Sequence, residues 1–301
     1  MKAILFDRFG GTEVLREADV EVPQPGPGQI RVRVEAAGLN ALDGKIRSGA
    51  LEALFPTPLP SVPGHELAGV VDALGEGVRD VQVGDEVLGW SDTGSYAEYA
   101  LATTVAPKPA DLDWQHAVAL PVAGETAERV LNLLGVTAGE TVLMHGAAGG
   151  VGTLAVQLAT ARGARVIATA GPANQEYLAS LGATATVYGE GLVERVRALA
   201  PDGVDAVFDV AGKGALEDSI ALRGGTDRIV TIADFRAHQL GITFANGPQE
   251  RSAARLAALA QDAATGKIVT TVTAYPLARA ATAQQVSDAG HVRGKLVLTL
   301  G

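Results

Sequence analysis

Residues 145–152 read His-Gly-Ala-Ala-Gly-Gly-Val-Gly. They stand between a short apolar run, Thr141 to His145, and a helically spaced one, Thr153 to Ala161. A strand, a glycine-rich turn and a helix in that order suit the binding of an anion. A phosphate reaches the backbone only where side chains are absent, and a helix start offers free N–H groups at its positive dipole end. Ala148, Gly149, Gly150 and Val151 are therefore expected against a pyrophosphate, with Gly152 letting helix and strand approach closely. A turn that only reverses the chain is the other reading, and the flanking elements favour the dinucleotide.

The next apolar run, Arg165 to Thr169, ends in Thr169-Ala170-Gly171. An NAD site ordinarily carries Asp or Glu there, about 20 residues after the glycines, to hold the ribose hydroxyls. With no carboxylate to repel a 2′-phosphate, the expected cofactor is NADP(H). No Lys or Arg follows closely, so Asn174 and, one strand on, Tyr188 are the donors at hand. Later runs end in Asp209-Val210-Ala211-Gly212 and Ile232-Ala233-Asp234-Phe235, with Phe244, Ala245 and Asn246 beyond. Open α/β sheets bind ligands at that edge, which singles out Ala211, Ile232 and Ala233. Plain strand-to-loop punctuation is the alternative.

Three textures of chain must position these residues. Up to about residue 115, short alternating runs (Ile30 to Val34, Leu67 to Val71, Glu86 to Gly89, Tyr96 to Leu101) are broken by Pro and Gly, as in an all-β barrel or sandwich. From about 117 to 262, strands alternate with helices (Gln175 to Leu181 among them), continuing through Ala185 to Tyr188, Val204 to Val210 and Arg228 to Ala233. That rhythm indicates βαβ units and a parallel sheet. Residues 251–264 read as a further helix, and β texture returns at Ile268 to Thr273 and Leu296 to Leu300. The tail is expected to rejoin the first domain.

The 301 residues suit about two domains. A net charge of −10 argues against a nucleic-acid or anionic-membrane binder, since both require a basic face. Cysteine is absent, which excludes disulfides, thiolate catalysis and Cys-based metal sites. The start, MKAILFDRFGG, has no apolar stretch of signal-peptide length, and no run approaches about 18 apolar residues. A cytoplasmic protein is expected.

Seven segments in order resemble the medium-chain dehydrogenase/reductase superfamily, in its zinc-independent quinone oxidoreductase branch. They are Ala36 to Asp43 (AAGLNALD), Pro63 to Val71 (PGHELAGVV), Val83 to Val87 (VGDEV), Gly94 to Glu98 (GSYAE), Leu120 to Thr126 (LPVAGET), the glycine turn, and Gly294 to Leu298 (GKLVL). The resemblance implies an α/β fold with a discontinuous GroES-like β-barrel domain, residues 1–117 and 265–301. A Rossmann doubly wound parallel sheet would fill residues 118–264, with the active site between the two domains. In zinc-dependent relatives the catalytic metal is bound by Cys, His and Cys. The matching positions are Asn40, His65 and about Val122, so two of three ligands are missing and no metal is expected. His65-Glu66 also lacks the second His of a metalloprotease helix, and His65 reads as structural or hydrogen-bonded. Asn40 and Asp43 would face the nicotinamide, Thr126 its ribose, and the backbone at Phe244, Ala245 and Asn246 the carboxamide. The Asn40 amide would bond a substrate carbonyl or the carboxamide; Asp43 reads equally as a buried partner for an Arg. Relatives often carry a Tyr shortly after this Asp, where the chain has Gly44-Lys45-Ile46-Arg47. Trp90, Tyr96 and Phe55 would line an apolar pocket or belong to the core.

The function implied is NADPH-dependent hydride transfer to a quinone or an α,β-unsaturated carbonyl, with a small-molecule substrate and room for a homodimer. The proton would come from water, the ribose hydroxyl or Lys45. Rival readings are an enoyl-thioester reductase and a crystallin-like NADPH-binding protein without activity. A zinc alcohol dehydrogenase lacks its thiolates.

Overall fold

The computed structural model of the chain describes residues 1–245, 247 and 251–300. It divides into two units, Met1–Val122 with Arg251–Gly301, and Ala123–Glu250. The sequence reading set the divisions instead at 117/118 and 264/265. Helix Ala253–Ala264 accordingly belongs with the first unit.

The first unit is built around the ten-residue strand Ile30–Leu39. One edge pairs antiparallel with Glu66–Leu74; the other is shared by Tyr99–Ala102 and Lys295–Thr299. The pairing with Glu66–Leu74 shifts register between Arg31/Val32 and again between Val34/Ala36, the second where the opposite edge passes from Tyr99–Ala102 to Lys295–Thr299. The sheet order is Val272–Pro276, Lys295–Thr299, Ile30–Leu39, Glu66–Leu74, Glu86–Trp90, Val105–Pro107; only the first pair is parallel. Val32, Val34, Leu67, Val71, Val87 and Leu298 fill its core. The tail therefore returns by hydrogen bonding to the central strand. The expected strand at Ile268 begins only at Val272, because the N–H groups of Lys267 and Ile268 still close the preceding helix on Asp262 O.

The second unit carries a six-stranded sheet in the order Thr184–Thr186, Arg165–Thr169, Thr141–His145, Ala206–Asp209, Ile229–Thr231, Thr243–Phe244. Every pair is parallel, with helices Gly150–Ala161, Gln175–Ser180, Leu192–Leu199 and Leu216–Arg223 between strands. The strand first in the chain lies in the middle. The order thus reverses between Thr141–His145 and Ala206–Asp209, the switch point where doubly wound sheets bind ligands. Among the described residues, no helix is long and apolar enough to cross a membrane.

Candidate active site

Asn40 closes the strand Ile30–Leu39 and opens the helix Ala41–Arg47. Its backbone N–H donates to Asp43 Oδ2 at 2.9 Å, the carboxylate reaching back over the helix start. Asp43 is 2% exposed and takes two more donors: Tyr96 Oη donates to Oδ2 at 2.8 Å, and His65 Nδ1 lies 2.7 Å from Oδ1. A carboxylate only accepts, so Nδ1 is the protonated nitrogen. Burial works against the charged imidazole, but the hydrogen bond and charge of Asp43, with the charge of Glu66, outweigh it. His65 therefore sits above the ordinary histidine value. Burial, then the charge and hydrogen bond of Asp43, push the Tyr96 phenol far above its usual range, which keeps it a donor.

The Asn40 amide is pinned at both ends. Nδ2 donates to Glu66 Oε1 at 2.8 Å, and Oδ1 accepts from Lys295 Nζ at 2.5 Å. Lys295 Nζ is also 2.5 Å from Glu66 Oε1, and Val122 N–H donates to Glu66 Oε2 at 2.7 Å. Both charged side chains are buried. Glu66 fits only because residue 38 is glycine: a Cβ there would fall 2.2 Å from Oε1. Sequence reasoning gave Glu66 and Lys295 no role. The signal was available, since each begins a run of buried strand residues where an unpaired charge would be costly.

Asp43 is not an arginine partner. Arg47, one turn on and equally buried, bonds Gln284 Oε1, Asp288 Oδ2 at 2.8 Å and Gly10 O at 3.3 Å. Lys45 sits two residues after Asp43, on the far side of the helix, and the structure does not bring it to this cluster. Trp90 and Tyr96 are core residues, whereas Phe55 is exposed. At the positions matching zinc ligands, Asn40 and Val122 both donate to Glu66. Among the described residues, no cluster of three or more His, Asp or Glu side chains could hold a metal ion.

In the second unit, helix Gly150–Ala161 starts from Gly149 with no side chain capping it. Its first intrahelical bond runs from Thr153 N–H to Gly149 O, leaving the N–H groups of Gly150, Val151 and Gly152 without a helical acceptor. Gly152 is buried, and a Cβ on it would meet Gly146 O at 2.5 Å and Ala147 Cα at 2.6 Å. Gly146 has φ +70°, and its own Cβ would lie 3.0 Å from Ala211 N, so the turn lies against the end of the neighbouring strand. Asp209 shapes that end: Oδ1 accepts from the N–H groups of Ala211 and Gly212, and Oδ2 from Thr231 Oγ1 at 2.7 Å. Thr231 Oγ1 in turn accepts from the N–H groups of Ala233 and Asp234, and Ile232 N–H donates to Asp209 O. Ala211, Ile232 and Ala233 are thus gathered at one edge with the glycine turn. Ala148 is buried within that turn, and Thr126 is buried in helix Pro121–Leu133. Phe244 stacks on Phe235 at 4.9 Å. Asn246 lies outside the described residues.

At the second strand, Thr169 and Ala170 are buried. Gln175 Nε2 donates to the carbonyls of Ala170 at 2.9 Å and Gly171 at 3.2 Å, fixing this bend. Tyr188 falls beyond the strand that sequence extended to it, and its half-exposed ring stands beside Gly171, 3.7 Å from Oη to an added Cβ. Asn174 N–H donates to Gly171 O. The bend thus presents a phenol and no carboxylate. Unfilled N–H groups, a turn with no room for a Cβ at Gly152 and this bend fit a phosphorylated dinucleotide.

Residues 26–110 match the alcohol dehydrogenase GroES-like domain, and residues 150–247 match the zinc-binding dehydrogenase family. The NADPH-dependent alkenal/one oxidoreductase of Arabidopsis thaliana chloroplasts is 33% identical over 99% of this chain and 79% of its own length. The quinone oxidoreductase of Coxiella burnetii superimposes with a TM-score of 0.91, at 34% identity over 100% of this chain and 99% of that one. The Escherichia coli quinone oxidoreductase complexed with NADPH gives a TM-score of 0.89 at 27% identity, covering 100% of both chains. With its GroES-like and Rossmann units, the chain belongs to the medium-chain dehydrogenase/reductase superfamily, in the quinone oxidoreductase-like branch.

Proposed function

We propose that the protein is an NADPH-dependent oxidoreductase that reduces quinones or α,β-unsaturated carbonyls without zinc. The observation that carries this reading is the switch-point edge: an uncapped helix start beside a glycine turn, and a bend after Arg165–Thr169 that has Tyr188 beside it and no acid of its own. The names of the relatives in Arabidopsis thaliana and Coxiella burnetii support the acceptor class. The bound nicotinamide supplies the hydride. The chain itself contributes binding and orientation, which is what such chemistry asks of a protein. After bonding Glu66 and Lys295, the Asn40 amide retains one N–H for an acceptor carbonyl. The buried ion pair holds that amide in one orientation.

The test is a panel of quinones and enones run with NADPH and NADH in parallel. NADPH should be preferred on the order of ten- to a hundred-fold in kcat/KM, about 1.4–2.7 kcal/mol, because the bend offers neutral donors. Tyr188→Phe should shrink the preference. Gly171→Asp should reverse it, since residue 171 is extended (φ −63°, ψ 162°) and faces Tyr188. Ala170 is a poorer place for that carboxylate, being 5% exposed. Equal rates with both cofactors, or no turnover of any acceptor, would overturn the reading.

A further inference from the structure

Reduction of an enone or quinone consumes a proton as well as a hydride, and the Asp43 cluster of the first unit holds a titratable group suited to supply it. Lys45 is set apart from the cluster, and the Tyr96 hydroxyl is fully buried and committed to Asp43. His65 is different. Its Nδ1 is anchored on a buried carboxylate 2.7 Å away, while a third of its side chain is exposed. Asp43 cannot turn away from it, because the Asn40 N–H and the Tyr96 hydroxyl hold Oδ2 from two further directions. The result is an imidazole of fixed orientation, with one nitrogen anchored and Nε2 left for exchange with a ligand or water.

We propose that His65 is the general acid of the reaction, with Asp43 as its positioning residue. This rests on the functional reading above. As hydride reaches the β-carbon of an enone, the electron pair of the C=C bond shifts and charge develops on the carbonyl oxygen. The Nε2–H bond breaks, an O–H bond forms, and the imidazole is left neutral with its proton still on Nδ1, donated to Asp43 Oδ1. The enol then rearranges to the ketone in water, and Nε2 is reprotonated from solvent. With a quinone, the same transfer gives the hydroquinone. The charged groups that bear on His65 are Asp43 from helix Ala41–Arg47, Glu66 from its own strand, and Arg251. The two carboxylates favour the charged imidazole and Arg251 opposes it.

The experiment uses the full chain with NADPH, cyclohex-2-enone and 1,4-benzoquinone, in the wild type, His65→Gln and Asp43→Asn. In the wild type, kcat on the enone should fall about tenfold per pH unit once pH exceeds the His65 value, which lies above the ordinary ~6.5. It should also fall in D2O. His65→Gln should lower kcat on the enone by about 10²–10⁴-fold, flatten the alkaline limb and leave NADPH affinity unchanged. The loss should be smaller on benzoquinone, whose reduced anion is the weaker base. Asp43→Asn should move the limb to lower pH. The wild-type profile keeps the test decisive even where a variant folds poorly. Turnover of both acceptors with no alkaline limb and no solvent isotope effect, or a limb unmoved in both variants, overturns the acid role alone. No turnover of either acceptor by the wild type overturns the functional reading and the acid role together.

Discussion

Glu66 Oε1 and Lys295 Nζ lie 2.5 Å apart in the buried interior of the first unit, one on a central strand and the other on a strand of the chain's returning tail. The contact does two things. It neutralises two charges that apolar surroundings could not hold singly, and it fixes Asn40 by bonding both ends of its amide. Folding of the tail and orientation of the candidate site residue therefore depend on one pair.

Removing one partner should cost far more than removing both. Lys295→Met leaves the Glu66 carboxylate with two donors and no countercharge, and should destabilise the protein by about 3–5 kcal/mol. Glu66→Gln combined with Lys295→Met removes both charges and should recover most of that loss. Urea denaturation of the single and double variants checks this through the coupling term. Additive effects would mean that the pair acts as two separate polar groups.

The same region shows what could be read from sequence. The parallel sheet and its glycine turn were legible because each step is local: an apolar run, glycines, then helical spacing. Even the absence of an acid after Thr169 could be read directly. The cluster around Asp43 was not, because its members are brought together by sheet pairing. Tyr96 and His65 reach Asp43, and Lys295 reaches Asn40, across strands whose registers no short window contains. Resemblance implied that Asn40 and Asp43 belong to the site, whereas the pairing of buried charges suggested an arginine for Asp43 where the fold supplies an imidazole and a phenol. Which unit helix Ala253–Ala264 joins could not be read for a similar reason, since a helix carries no mark of the sheet it will cover.

The glycine turn separates two effects that one substitution would confuse. A Cβ on Gly152 would strike backbone atoms at 2.5–2.7 Å, so Gly152→Ala must displace either the turn or the helix and should lower the melting temperature. A Cβ on Gly149 would meet only Gly146 O at 3.6 Å, and its extended backbone suits any residue. Gly149→Ala should therefore fold as the wild type does. If the turn holds the pyrophosphate, the added methyl should still weaken NADPH binding through crowding at the open helix start. Fluorescence titration and thermal melts on both variants read the two effects apart. Wild-type NADPH affinity in Gly149→Ala would place the phosphates elsewhere.

Acid sensitivity should centre on one ion pair in the second unit. The Arg228 guanidinium donates to both Glu140 oxygens, at 2.7 and 2.9 Å, and also to Leu134 O, tying the strand Ile229–Thr231 to the loop that precedes Thr141–His145. That hydrogen bonding, chiefly, holds the Glu140 carboxyl down to about 2, from an ordinary 4.5. A carboxylate whose folded value is depressed contributes stability that is complete above its unfolded value. The contribution is lost as pH falls from about 4.5 through about 2. Both side chains are partly exposed, 31% and 22%, so solvent screening limits it to on the order of 1–2 kcal/mol. Glu140→Gln should therefore be less stable than the wild type at neutral pH by about that amount, and the difference should narrow below pH 4. Arg228 also has a left-handed backbone (φ +54°), so Arg228→Gly would relieve strain while losing the pair, and it is the poorer probe. Urea midpoints of the wild type and Glu140→Gln across acid pH make the measurement. A gap that stays constant through that window would mean that the stability resides in packing and not in the charge.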